Sequence, residues 1–78
     1  MVKSEDSRAV KSTRTAFRIV ERLKDSGGAR LTDIANELDL AKSTVHQQLS
    51  ALSQMGYVVQ DDQEYHVGLK FLDIGEAA

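Results

Sequence analysis

Cysteine, proline and tryptophan are absent from this 78-residue chain, and aromatic residues make up only 5% of it. Without cysteine there is neither a disulfide framework nor a thiolate site for zinc. His46 and His66 are the only histidines and stand far apart, without carboxylates at metal-ligand spacing, so no metal and no cofactor is expected. No run of about 18 apolar residues occurs, and the polar start lacks the apolar stretch of a signal peptide. A cytoplasmic protein without a membrane span is the expectation. The same scarcity speaks against an enzyme, because there is no thiol nucleophile, no phosphate-cradling glycine loop and too little chain to wall a cleft.

What is present is one small domain's worth of sequence, with a modest core that would gain from a partner. Its net charge is −2, unevenly placed. Residues 1–30 hold eight Lys and Arg against four acids, while residues 31–78 hold two against eight. The acidic surplus would also suit a protein working at high salt.

Residues 1–9 are polar and charged and read as a mobile arm. From about Ser12 to Ser26, the apolar residues Ala16, Phe17, Ile19, Val20 and Leu23 fall on one side of a helix. They cover roughly 160°, wider than the ~100° stripe that one core contact requires. The excess predicts that this helix meets both the core and a second subunit, with Phe17, Ile19 and Val20 as dimerisation residues. Lys11, Arg14, Arg18 and Arg22 line the opposite side. Arg18 and Arg22 each have an acid three residues on (Glu21, Asp25), which predicts self-neutralised pairs. Lys11 and Arg14 lack such partners and are read as phosphate contacts, or else as plain exposed cations. Gly27-Gly28 ends the helix.

Leu31 to Leu52 carries the most information. Ile34, Ala35 and Leu38 form the stripe of a short helix, with Thr32 expected as its N-cap and a phosphate contact, and Asp33 at its positive end. Asp39 marks a tight turn that requires a left-handed residue, and Leu40 closes the turn onto the core. A second helix follows from Lys42 to Met55, with Val45, Leu49 and Leu52 facing inward. Its outward arc, Ser43, His46, Gln47, Ser50 and Gln54, is short and polar, where a solvated helix would carry Glu and Lys pairs.

That arrangement is the layout of a helix-turn-helix, whose second helix enters a DNA major groove. Gln47 suits bidentate bonding to adenine N6 and N7, and His46 suits a base or a phosphate. Lys42, Ser43 and Thr44 open the helix and suit a phosphate, with capping by Ser43 or Thr44 as the simpler role. Gln48 belongs at the packed edge. Beyond Gly56, Tyr57-Val58-Val59 and Tyr65-His66-Val67-Gly68 flank a polar turn and predict a β-hairpin. Its tip bears Asp61, Asp62 and Glu64, which should repel DNA and keep this wing out of the minor groove, or let it enter only at high salt.

The fold class expected is mainly α with a small β-wing, a winged helix-turn-helix over residues 10–68. Residues 69–78 begin another apolar segment, read as the start of a linker helix in a longer parent protein. The runs Leu31-Thr32-Asp33-Ile34-Ala35 and Leu40-Ala41-Lys42-Ser43-Thr44-Val45-His46 resemble the DNA-binding domain of the IclR family of transcriptional regulators. So does Met55-Gly56-Tyr57-Val58-Val59 with the later Tyr65-x-x-Gly68-x-x-x-Leu72-x-x-Gly75. The resemblance covers roughly residues 10–75 and implies a homodimer bound to a palindromic operator. It also implies an effector-binding C-terminal domain, which this sequence does not contain. Gln47 and Gln48 depart from the family's usual Arg and Leu, and Asp39 from its usual Gly. The competing expectation is a winged helix used for protein–protein assembly, without DNA.

Overall fold

The computed structural model describes residues 3–68. They form, in order, α1 (Lys3–Ser26), β1 (Ala29–Arg30), α2 (Leu31–Leu38), α3 (Lys42–Gln54), β2 (Val58–Asp61) and β3 (Glu64–Val67). The strands make one antiparallel sheet of order β1-β3-β2. Ala29 lies opposite Tyr65, and Val58 opposite Val67. This is the winged helix-turn-helix that the residue pattern predicts. The expected linker-helix start at 69–78 lies outside the described residues.

α1 starts at Lys3, not near Ser12, so the reading of residues 1–9 as a mobile arm is corrected from Lys3 onward. Apolar periodicity marks only the part of a helix that packs. The preceding residues have no Pro or Gly to stop propagation. Gly27, with φ of 73°, ends α1, and the N–H groups of Gly27 and Gly28 both bond the Leu23 carbonyl at 3.0 and 3.1 Å.

The turn between α2 and α3 has the same chemistry without glycine. Asp39 sits at φ 57°, ψ 50°, and the Leu40 N–H reaches the Ala35 carbonyl at 2.9 Å. Leu40 then packs on the core, as expected. A left-handed L-residue costs about 1–2 kcal/mol, part of which Asp recovers locally. Asp39→Gly is therefore expected to stabilise the domain by about 0.5–1 kcal/mol in urea unfolding, after allowing for the greater freedom of glycine in the unfolded chain.

Ile19, Val20 and Leu23 of α1 meet Ala29, Ile34, Ala35, Val45, Leu49, Leu52 and Val58 in a single core. Ile19 and Val20 are 0% and 2% exposed, so their assignment to a dimer interface is corrected. The wide apolar arc of α1 has an internal explanation: α2, α3, β1 and β3 all contact this helix. Phe17 alone of the three faces outward, at 56% exposed.

The arginines of α1 also differ from expectation. Arg22 reaches past Asp25 to α2, where Nε and Nη2 donate to the two carboxylate oxygens of Glu37, the Nη2 bond at 2.8 Å. Arg18 donates to the Leu38 carbonyl at 3.1 Å, an acceptor left open at the end of α2. A carboxylate on a neighbouring helix offers a two-pronged bond that Asp25, one turn along the same helix, does not provide. The Arg22 hydrogen bond holds the Glu37 carboxyl below the usual carboxylate range. The pair's contribution is complete above the ordinary carboxylate pKa and is lost as pH falls through the lowered value.

Candidate nucleic-acid interface

α3 buries Val45, Leu49 and Leu52, which lie at i, i+4 and i+7, against the core. At roughly 100° per residue, the opposite meridian carries Ser43, Gln47 and Gln54, flanked by Ser50 and Ala51. Ser43, His46, Gln47, Ala51 and Gln54 are exposed and Ser50 is half-buried. α3 contains no acid, and its one permanent charge is Lys42. A ridge of small and amide side chains lets a helix backbone come close to another surface without desolvating a carboxylate.

The N-terminus of α3 is open. Its N-cap is Ala41, in extended conformation and without a side-chain cap, so neither Ser43 nor Thr44 takes the simple capping role. Both lie inside the first turn, beside N–H groups that have no intrahelical acceptor. Lys42, Ser43 and the backbone donors thus share one exposed end.

Thr32 is also displaced from its expected role. Residue 30 is held extended by the pairing of β1 with β3, so α2 begins directly at Leu31 with Arg30 at the N-cap. Thr32 is exposed in the first turn, where it lines a polar cleft with Arg30, Gln60, Gln63 and Tyr65. That cleft lies between the start of α2 and the wing.

The two cations picked out on α1 part company. Lys11 precedes Ser12, the residue that meets α3: its carbonyl and Oγ accept bonds from Gln48 Nε2 at 3.3 and 3.0 Å. Gln48 thereby occupies the packed edge assigned to it. Arg14 instead lines a shallow apolar groove with Ala9, Val10, Thr13 and Phe17. Among the described residues neither cation has an ion-pair partner.

Three further cations are exposed, Arg8, Lys24 and Arg30. Arg8 lies three residues before Lys11 on the continuous α1, and the i, i+3 spacing was there to be read once that segment is helical. Arg30 lies on β1, the short segment that pairs with the wing, and its spacing gave the side chain no role of its own. The wing carries Asp61 and Asp62 exposed, with Glu64 3.4 Å from His66 Nε2.

Residues 12–62 match the family model of the IclR helix-turn-helix domain. The probable HTH-type transcriptional regulator ArcR of Halobacterium salinarum is 34% identical over 74 residues, covering 94% of this chain and 28% of that protein. The chain therefore spans little more than a quarter of that relative's length. An IclR transcriptional regulator from Alicyclobacillus acidocaldarius superimposes with a TM-score of 0.80 at 26% identity, over 85% of this chain and 28% of that one. The Zalpha domain of PKZ from Carassius auratus, solved in complex with Z-DNA, gives a TM-score of 0.69 at 25% identity, over 73% of this chain and 97% of that one. The family match runs from the packed half of α1 through both helices of the helix-turn-helix into the wing, and on that ground the chain belongs to the IclR family of helix-turn-helix domains.

Proposed function

We propose that this domain binds duplex DNA sequence-specifically, as the operator-reading part of a transcriptional regulator, by seating α3 in the major groove. The observation that carries this reading is the outward ridge of α3, which is exposed, free of acids and centred on Gln47. In this reading Gln47 bonds an adenine edge and His46 a base or phosphate. Lys42, Ser43 and Thr44 hold a phosphate at the open helix end, with Lys11 as a flanking contact. Thr32 contributes from the start of α2. Arg14 belongs with the apolar groove and serves DNA only at its margin.

The domain acts as a dimer on a palindromic operator, with Val10 and Phe17, 55% and 56% exposed, as the α1 surface offered to the second copy. The acidic wing stays outside the minor groove. Support for DNA as the partner also comes from the Zalpha domain, a neighbour of similar size solved with DNA. No helix among the described residues is long and apolar enough to cross a membrane, consistent with a cytoplasmic regulator.

Titration with duplex DNA at two salt concentrations tests the reading. Binding should weaken steeply as salt rises, whereas an assembly module would bind no duplex at either concentration. Gln47→Ala should lose about 1–3 kcal/mol on the preferred site and flatten discrimination at one base pair. Lys42→Ala should weaken all sequences alike and reduce the salt slope by about one. A Gln47 variant with wild-type affinity and selectivity would refute its assigned role.

A further inference from the structure

α3 has three glutamines, and the structure treats them differently. Gln48 points inward and its amide is committed to Ser12. Gln47 and Gln54 are exposed, and neither has a hydrogen-bond partner among the described residues. They are seven residues apart. At 1.5 Å and 100° per residue, their Cα positions stand about 10.5 Å apart along the axis and about 20° apart around it. Ala51 and Ser50 lie between them, so no bulky or charged group intrudes on that line.

We infer that Gln54 is a second base-reading residue, paired with Gln47, and that the preferred half-site holds two A·T pairs about three base pairs apart. This rests on the major-groove reading above. A Gln amide matches the N6 donor and N7 acceptor of adenine and no other base edge as well. With successive base pairs about 3.4 Å apart along the DNA axis, a 10.5 Å separation spans at most about three steps. The residues Gln47, Ser50, Ala51 and Gln54 form an i, i+3, i+4, i+7 set, a spacing through which other recognition helices reach base edges. Ala51 is placed to touch a thymine methyl between the two amides.

The test is selection of bound sequences from a random duplex pool with this chain, followed by anisotropy titrations of the variants. The wild type should enrich A·T at two positions about three base pairs apart. Gln54→Ala should relax one position, with roughly a tenfold affinity loss, and Gln47→Ala should relax the other. Gln54→Glu should shift preference at its own position toward C·G, because a carboxylate accepts from cytosine N4. If Gln54→Ala selects the same site as the wild type while Gln47→Ala relaxes its pair, the inference about Gln54 fails and the DNA-binding reading stands. If no duplex is enriched and no salt-dependent binding appears, both fail.

Discussion

Leu49→Ala is expected to lower the stability of the domain by about 2–5 kcal/mol. Leu49 is 0% exposed at the middle of α3, within a core that holds ten buried apolar residues among the described residues. A domain of this size has a total stability of about 4–12 kcal/mol, so the change removes a large share of it. The loss has two parts, the transfer of the side chain's apolar surface and the cavity left because neighbours from α1, α2 and β2 cannot all collapse inward. Urea unfolding should show a lower midpoint with an unchanged slope. DNA affinity at temperatures where the variant remains folded should be unchanged, because Leu49 faces away from the ridge. That pattern is the reverse of Gln47→Ala, which should keep stability and lose affinity.

The second large effect is at the end of α1. Gly28→Ala is expected to destabilise by about 2–4 kcal/mol. Gly28 has φ of 129°, a conformation that side-chain-bearing residues rarely adopt. Its Cβ would also run into the His66 ring, at Cε1 and Nδ1, closer than real Cβ atoms approach. His66 lies on β3 opposite Val59, so moving its ring disturbs the wing as well as the turn. Gly27 is the built-in control. It is left-handed, at φ 73°, yet nothing lies within 4 Å of an added Cβ. Gly27→Ala should therefore cost only the backbone penalty, about 1–2 kcal/mol. Thermal unfolding of both variants checks the order, and equal losses would contradict the role given to His66. Gly68 is tight for a different reason: its Cβ would meet the Gly56 carbonyl oxygen at 2.6 Å, which accounts for glycine at that point of the Tyr-x-x-Gly run.

The features legible in the residues were those governed by local chemistry. The Val45–Leu49–Leu52 stripe, the left-handed Asp39 turn, the Gly27-Gly28 stop and the hairpin after Gly56 each follow from periodicity or from a backbone angle that few residues accept. Features set by tertiary placement were not legible. Nothing in the spacing of Ile19 and Val20 distinguishes a core wrapped around α1 from a second subunit laid on it; only the arrival of four other elements decides. Arg22 took Glu37, fifteen residues away, over Asp25 because two helices happen to cross there. Thr32 lost its cap role because sheet pairing at Arg30 started α2 two residues earlier. For the candidate interface, the exposure of Ser43, His46, Gln47 and Gln54 on α3 was readable, while half-buried Ser50 and exposed Ala51 were not, and Lys11 and Arg14 looked equivalent until α3 was placed beside Ser12 and not beside the Phe17 groove.

Backbone amide NMR of the labelled chain, titrated with a selected duplex, tests most directly where nucleic acid touches this protein. The largest shifts should fall on Lys42, Ser43, His46, Gln47, Ser50 and Gln54, with the wing tip at Asp61 and Asp62 nearly still. Saturating shifts confined to the wing and the Val10–Phe17 side, with residues 42–50 unmoved, would contradict the placement of α3 in the groove.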